Sequence, residues 1–233
     1  MADLFIGLMS GTSMDGIHTA LVYFSSRQPN ILATHNHCYP AVLQQQLENA
    51  LGLAAPLNTD LATIDDAVGD IFSVATNELL GKAGIEAEQV TAIGSHGQTI
   101  RHDPDAPKPY SLQIGNPNII ARNTGIDVVA DFRRADIEAG GQGAPLVPAF
   151  HQAVFADNSE DRVILNIGGI ANITILTPGN DTPVSGFDTG PGNTLMDNWA
   201  QTHLQTSMDI NGDWAAAGQV DTALLEHLLT DAY

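Results

Sequence analysis

The stretch GLMSGTSMDG, residues 7–16, combines glycines with hydroxyl side chains and one carboxylate, and it lies between two apolar runs. Successive backbone N–H groups in such a glycine-rich turn can form a concave anion site, and the hydroxyls add further donors. The stretch is not a Walker A loop, because the Gly-Lys-Ser/Thr ending is missing. Phosphate binding is one interpretation, and a long hairpin turn closed by Asp15-Gly16 is the other.

Two further glycine-rich stretches occur in the second half of the chain. Gly168-Gly169 separates two apolar runs and predicts a tight turn whose backbone a phosphate can approach closely. In GFDTGPGN, residues 186–193, Asp188 ends an apolar stretch just before a predicted helix. Ligands bind at strand ends in α/β sheets, and a carboxylate there can act as a general base. The alternative role of Asp188 is an N-cap for the next helix.

SHGQTIRH, residues 95–102, places polar side chains directly after a short apolar stretch. His96, Gln98 and Thr99 carry donors and acceptors that suit the hydroxyl groups of a sugar. A histidine beside a glycine turn is more often structural than catalytic, so a structural role is the alternative.

Basic residues are rare in this chain, and two of the eight stand together in ADFRRAD, residues 130–136. Arg133 and Arg134 lie beside a predicted strand end of an acidic protein, which favours an anion such as a carboxylate as their ligand. The alternative is a surface pair that is bridged to Asp131 or Asp136.

The segment His35-Asn36-His37-Cys38 contains side chains of the types that bind zinc. His35 and His37 would point to the same side of a strand. No second cluster in the sequence completes a four-ligand site, so we predict no metal centre here.

The apolar periodicity predicts helices between strands, which is typical of an α/β fold. The predicted strands are residues 4–9, 17–24, 90–93, 126–130, 163–167, 172–176 and 183–187. The predicted helices are residues 41–53, residues 60–83 with N-caps at 58–60 and a C-cap at Gly84, a segment from Asn193 past Trp199, and residues 215–231. Each half opens with a glycine-turn hairpin, which predicts two similar domains, residues 1–135 and 136–233, that face a cleft.

The formal net charge is −19, from 27 acidic and 8 basic residues, and it argues against nucleic acid and anionic membrane surfaces as partners. The single cysteine, Cys38, allows no internal disulfide, and the N-terminus lacks the basic start and apolar length of a signal peptide. We therefore expect a cytoplasmic protein with small-molecule ligands. A homodimer is one alternative for its oligomeric state.

Taken together, these motifs resemble one family, the anhydro-N-acetylmuramic acid kinases. The matching stretches follow the family order over nearly the whole chain: GLMSGTSMDG, IGSHGQTIRH, QIGNP, GIDVVADFRR, AGGQGAPLVPAFH, LNIGGIANIT and GFDTGPGNTLMDNW. The resemblance implies an actin–hexokinase-type α/β fold with two ribonuclease-H-like domains around a cleft, the second incomplete in this chain. It also implies an ATP- and Mg²⁺-dependent enzyme of peptidoglycan recycling. Such an enzyme opens the 1,6-anhydro bridge of anhydro-N-acetylmuramic acid with water and phosphorylates the 6-hydroxyl, giving N-acetylmuramic acid 6-phosphate.

The resemblance further implies roles for particular residues. Asp188 matches the catalytic base that activates the attacking water, and Gly168 and Gly169 match a second phosphate-binding hairpin. The predicted sugar-binding residues are Thr99 and Arg134 from the family match, joined by His96 and Gln98 from their residue types. The family's ATP-binding loop is matched by Gly11, Thr12, Ser13, Met14, Asp15, Gly16, Ile17 and His18.

Two features depart from the family pattern. The ATP-binding loop ends in His18, where the family usually has an acid, which weakens a metal-orienting role at that position. Family members are also considerably longer, and their C-terminal part contributes much of the nucleotide site. The alternative function is a non-catalytic sugar- or nucleotide-binding module of the same fold, since related folds include regulators and chaperone-like ATPases.

Overall fold

The computed structural model describes residues 3–11, 14, 16–25, 28–51, 60–179 and 183–230, and the chain divides into two compact units. Unit 1 is Met1–Leu146 and unit 2 is Val147–Tyr233, whereas the sequence analysis placed the boundary after residue 135. The glycine-rich segment after residue 135 belongs with unit 1, because Arg133 Nη1 donates to the Gly143 carbonyl and the Gly143 amide donates to Asp136. The assignment of two ribonuclease-H-like domains stays a prediction.

Unit 1 is built on a six-stranded mixed sheet in the order β3-β2-β1-β4-β5, with β6 beside β4. The strands β1 and β4 pair in parallel, as do β4 and β6, and the other neighbouring strands are antiparallel. The strand bounds are β1 (Leu4–Ser10), β2 (Ile17–Ser25), β3 (Gln28–His37), β4 (Val90–Asp103), β5 (Tyr110–Ile114) and β6 (Val128–Val129). The predicted opening hairpin is confirmed, and the strand predicted over 126–130 shortens to two residues.

Strand β4 is much longer than the sequence predicts, so the stretch 95–102 lies within a strand and not after one. The register of β1 against β4 moves from Leu8–Ser95 to Ser10–Gln98, which places one extra residue in β4. Gly97 has φ 75°, and a Cβ at this position would lie 2.5 Å from the Ile114 carbonyl oxygen. The glycine therefore marks a bulge inside the strand. The predicted strand ended earlier, at Ile93, because the apolar run stops there and Gly94, Ser95 and His96 follow.

Four α-helices lie in the described part of unit 1, and α2 contributes most to its core. Phe72 and Leu79 of α2 are fully buried in one apolar cluster with Ile6 of β1. This helix begins and ends where the sequence predicts: Asp60 accepts from the Thr63 amide, and Gly84 takes a left-handed conformation with φ 64°. The helix bounds are α1 (Ala41–Leu51), α2 (Leu61–Ala83), α3 (Pro117–Thr124) and α4 (Phe132–Glu138).

Unit 2 contains an antiparallel three-stranded sheet in the order β7-β8-β9. Its strands are β7 (Arg162–Ile167), β8 (Ile170–Leu176) and β9 (Ser185–Pro191), and its helices are α5 (Pro148–Phe155), α6 (Thr194–Leu204), α7 (Asp213–Ala216) and α8 (Thr222–Leu228). Helix α5 contacts the sheet through His151 Nδ1, which lies 2.9 Å from Oγ1 of the buried Thr174. The second glycine-turn hairpin is confirmed.

The single helix predicted over 215–231 is wrong, because the described part of this segment contains two shorter helices, α7 and α8. Gly218 lies in the interruption, and glycine is unfavourable in a helix interior. Asp221 then caps a new helix by accepting from the Leu224 amide. Elsewhere helices and strands alternate as expected, so the α/β class is confirmed. Among the described residues, no helix is both long and apolar enough to cross a bilayer.

Candidate active site

The first glycine-rich turn joins β1 to β2. The amide of Met14, a residue with φ 52°, donates to the Gly11 carbonyl at 3.1 Å and closes part of the turn. Gly16 is buried against β3, where a Cβ would collide with the Asn36 side chain, so packing alone requires glycine here. Three of the predicted ATP-binding residues lie outside the described residues, namely Thr12, Ser13 and Asp15.

Gln98 of β4 lies under this turn and is fully buried. Ser10 Oγ donates to Gln98 Oε1 at 2.6 Å, and Gln98 Nε2 donates to the carbonyls of Gly11 and Thr99, each at 3.2 Å. The structure thus places this amide inside unit 1, in contact with the turn, and not on a surface that a sugar can reach.

His96 is half-buried one strand position before the bulge. Its Nε2 accepts from Arg133 Nε at 2.8 Å, and its Nδ1 lies 3.0 Å from the Gly97 carbonyl. Burial, and secondarily the adjacent Arg133 guanidinium, lower the pKa of His96, which keeps the ring neutral with its proton on Nδ1. Both ring nitrogens therefore have protein partners. The sequence predicted an anion as the ligand of Arg133, whereas its guanidinium donates to the His96 imidazole and to the Gly143 carbonyl.

The two other predicted sugar-binding residues lie closer to the surface. Thr99 is half-buried on β4, and its hydroxyl accepts from Gln113 Nε2 at 3.2 Å. The Arg134 side chain of α4 is exposed and forms an ion pair with Asp131, which was the alternative interpretation of this arginine. The geometry leaves the sugar-binding roles of these residues as predictions.

A cavity of about 650 Å³ is lined by residues of β1, β2, β3 and β4 of the unit 1 sheet, by Lys82 of α2 and by Phe132 of α4. His18 is exposed and lies on the side of β2 opposite the buried Ile17, so it faces away from α2. The lining includes Met9, His18, Ala20, Thr34, His96 and Phe132. The last residue of the predicted ATP-binding loop therefore belongs to the wall of this cavity.

The second glycine-rich turn, Gly168-Gly169, is fixed by the segment that follows β9. The Gly169 carbonyl accepts from the Gly192 amide and from Thr194 Oγ1, both at 2.8 Å, and the Gly168 carbonyl accepts from the Asn193 amide at 2.8 Å. A Cβ on Gly192 would collide with the Gly168 carbonyl. The sequence analysis missed Gly192 and Thr194 as turn-fixing residues, although the run GPGNT was the available signal.

These hydrogen bonds orient the amides of the second turn. In a trans peptide the carbonyl and the N–H point in opposite directions, and both peptide groups here are trans. The N–H groups of Gly169 and Ile170 therefore point away from the start of α6. Neighbouring amides directed to one side are the donors with which glycine-rich turns bind anions.

Asp188 lies within β9, opposite Asn172 of β8, and is exposed. The strand continues to Pro191, so Asp188 does not end it as predicted. The alternative role as N-cap of α6 is wrong, since Asn193 occupies the N-cap position. Its carboxylate is thus available to solvent on the strand that leads to the turn-fixing residues.

His35 and His37 lie on one side of β3, as predicted, and both contact a residue that the sequence did not indicate. Nε2 of His35 and Nδ1 of His37 lie 2.6 and 2.8 Å from the same Glu78 oxygen, which lowers the pKa of Glu78. The ligand atoms of these three residues lie within 4.8 Å of one another. However, Lys82 Nζ lies 2.6 Å from His35 Nδ1 and opposes a bound cation, and Cys38 is exposed outside the cluster. We therefore interpret the cluster as a polar link between β3 and α2.

Comparison with known proteins supports the motif analysis. Residues 3–233 match the family model described as anhydro-N-acetylmuramic acid kinase. The anhydro-N-acetylmuramic acid kinase of Shewanella halifaxensis (strain HAW-EB4) is 55% identical over 232 residues, which is 98% of this chain and 62% of the relative. The corresponding protein of Shewanella sediminis (strain HAW-EB3) is 56% identical over 234 residues, with coverages of 99% and 62%.

The chain thus spans 62% of the length of these relatives. Among solved structures, component A of the (R)-2-hydroxyglutaryl-CoA dehydratase of Acidaminococcus fermentans is similar with a TM-score of 0.42 and 9% identity. That alignment covers 94% of this chain and 61% of the other.

Proposed function

Because the chain belongs to the anhydro-N-acetylmuramic acid kinase family, we propose that it acts in the ATP-dependent conversion of 1,6-anhydro-N-acetylmuramic acid to N-acetylmuramic acid 6-phosphate. The observation that carries the proposal is the second glycine-rich turn. Its Gly169 and Ile170 amides point away from α6, and the neighbouring strand β9 carries the exposed carboxylate of Asp188. An anion-binding turn beside a free carboxylate suits phosphoryl transfer to a sugar.

Asp188 acts as the general base in this proposal. It takes a proton from a water molecule while the water oxygen bonds to C1 of the sugar and the C1–O6 bond breaks. O6 then bonds to the γ-phosphorus of ATP as the bond to the leaving ADP oxygen breaks. A positioned base contributes typically about 10²- to 10⁴-fold to the rate of such a step.

The two glycine-rich turns are the proposed phosphate-binding segments. Phosphoryl transfer depends mainly on positioning and on neutralising charge, and bound Mg²⁺ supplies part of that charge. Mg²⁺ prefers oxygen ligands, so the imidazole of His18 is unsuited to hold it. In unit 2 the turn would contribute the backbone amides of Gly169 and Ile170. The ATP-binding role of the first turn stays a prediction, because Thr12, Ser13 and Asp15 lie outside the described residues.

Arg134 and Thr99 are the proposed sugar ligands. The ion pair between Arg134 and Asp131 is exposed, and such pairs contribute little to stability. Arg134 can therefore exchange Asp131 for the lactyl carboxylate of the sugar, to which a guanidinium binds through two parallel hydrogen bonds. We place the reaction in the cytoplasm, in keeping with the single cysteine and acidic surface.

Product analysis separates a kinase from a non-catalytic binding module. The protein is incubated with Mg²⁺, ATP and 1,6-anhydro-N-acetylmuramic acid, and the products are identified by mass spectrometry. Because the chain spans 62% of its relatives, a chimera in which the C-terminal part of the S. halifaxensis relative follows residue 233 is assayed in parallel. We expect N-acetylmuramic acid 6-phosphate and ADP in equal amounts. Tight binding of both ligands by the chimera without any sugar phosphate would instead establish the binding module.

A further inference from the structure

Gln98 is a polar side chain with no exposed surface, and it contacts both residues at which β1 passes into the first glycine-rich turn. Ser10, the last residue of β1, donates to its Oε1 at 2.6 Å. Gly11, the first residue of the turn, accepts from its Nε2 at 3.2 Å. A buried amide is tolerated only when its donors and acceptor are satisfied, so the contacts with Ser10 and Gly11 are part of what keeps Gln98 in the core.

We propose that Gln98 is a positioning residue that fixes the turn predicted to bind ATP. The Gly11 carbonyl accepts both from Gln98 Nε2 and from the Met14 amide, the latter at 3.1 Å. The Gly11 carbonyl oxygen is therefore shared by two hydrogen bonds. One closes the turn, and the other links the turn to β4. Holding this oxygen fixes the plane of its peptide group, because that group is rigid. The assignment rests on the proposed function only for the identity of the ligand.

The bulge at Gly97 brings Gln98 to this position. Between the paired positions Leu8–Ser95 and Ser10–Gln98, β4 has one residue more than β1. Bulges of this kind re-aim a side chain, here towards the end of β1. A Cβ at Gly97 would crowd the Ile114 carbonyl, so the bulge depends on glycine. The motif SHGQT is thus a structural device in which His96 holds Arg133 and Gln98 holds the turn.

Two substitutions separate this role from ordinary core packing. Gln98→Met keeps the length and approximate volume of the side chain and removes its hydrogen bonds. Gln98→Glu keeps an acceptor for Ser10 and places a carboxylate oxygen against the Gly11 carbonyl in place of a donor. The matched control is Thr76→Val, which removes another buried hydrogen bond of unit 1, from Thr76 Oγ1 to the Phe72 carbonyl at 2.9 Å.

Residue-resolved amide hydrogen exchange on the 233-residue chain, without nucleotide, tests the proposal directly. We expect the Met14 amide to exchange about tenfold faster in Gln98→Met and Gln98→Glu, the effect of losing one hydrogen bond. The amides of Leu79 and Ile93 in the core should keep their rates, and Thr76→Val should leave Met14 unchanged. An unchanged Met14 rate in Gln98→Met, or an equal rise at Leu79 and Ile93, would overturn the positioning role.

The kinase assay then identifies the ligand that the turn serves. Gln98→Met should raise the KM for ATP about tenfold and leave the KM for the anhydro sugar unchanged, as expected for one lost hydrogen bond. A rise in the sugar KM alone would overturn the link to ATP and make Gln98 a sugar-binding residue. If the wild-type protein and chimera form no sugar phosphate, the proposed function fails, and the exchange rates still decide whether Gln98 fixes the turn.

Discussion

The imidazole of His96 lies between the backbone of its own strand and the Arg133 guanidinium, 3.0 Å from the Gly97 carbonyl and 2.8 Å from Arg133 Nε. The sequence could predict that polar side chains gather in residues 95–102, because residue types are visible there. It could not predict that Arg133 would be the partner, since hydrogen bonds between distant residues depend on strand order. A histidine suited to bind a ligand thus joins β4 to α4.

The neutral ring of His96 makes a pH-dependent contribution to stability. Burial and Arg133 lower its pKa, so the folded state binds the proton less readily than the unfolded state, whose pKa is about 6.5. The contribution is therefore fully present above about pH 6.5 and is lost as the pH falls through the lower folded pKa. Protonation also removes the lone pair that accepts from Arg133.

We expect the melting temperature of the wild-type protein to exceed that of His96→Gln by less at about pH 5 than at about pH 7.5. Thermal unfolding of both proteins across this range, followed by circular dichroism, measures the difference. His151, whose pKa burial also lowers, is present in both proteins and cancels in the comparison. A difference that is constant with pH would show that His96 does not act through its protonation.

At the scale of elements, the sequence predicted those hairpins and helices that interactions between nearby residues determine. The two glycine-turn hairpins and α2 with its caps follow from apolar periodicity and from Asp60 and Gly84. The length of β4 was missed because the apolar pattern stops at Ile93, whereas the strand continues through polar residues to Asp103. The division of the last predicted helix was missed because an N-cap at Asp221 outweighs the apolar spacing around it.

The close approach of Gly192 to the second turn gives an element-scale prediction. In Gly192→Ala, the new Cβ would meet the Gly168 carbonyl, so the turn or the start of α6 must move. We expect a loss of about 1–3 kcal/mol in the free energy of unfolding, as for overpacked sites, together with a raised KM for ATP. Urea unfolding and steady-state kinetics on the chimera measure both effects.

Gly81→Ala is the matched control for this substitution. Gly81 lies inside α2, and the methyl group of an alanine there would meet no atom of another element within 4 Å. Alanine favours a helix by about 0.5–1 kcal/mol over glycine. This variant should therefore be slightly more stable than the wild-type protein, with an unchanged KM for ATP. Equal behaviour of the two variants would mean that the contact between Gly192 and Gly168 does not fix the turn.

At the scale of the whole molecule, the α/β class followed from apolar periodicity, and the structure confirms it. The family followed from the order of several long motifs, and the family model and the relatives confirm it. The unit boundary after Leu146 did not follow, because it depends on hydrogen bonds from Arg133 and Asp136 to Gly143. The hydrogen bond between Ser10 and Gln98 beside the first turn was also not predicted, since the two residues lie 88 residues apart in the chain. Motifs therefore indicate which segments matter, and the fold decides which side chains contact a ligand.

The rate of sugar phosphate formation by Asp188→Asn tests the central claim most directly. The substitution is made in the chimera with the S. halifaxensis C-terminal part, beside Asp161→Asn, which changes an exposed carboxylate before β7. Because a missing general base costs about 10²- to 10⁴-fold, we predict that kcat of Asp188→Asn falls by that factor with unchanged thermal stability, while Asp161→Asn stays at the parent rate. If the kcat of Asp188→Asn stays within about twofold of the parent value, that result would contradict the account.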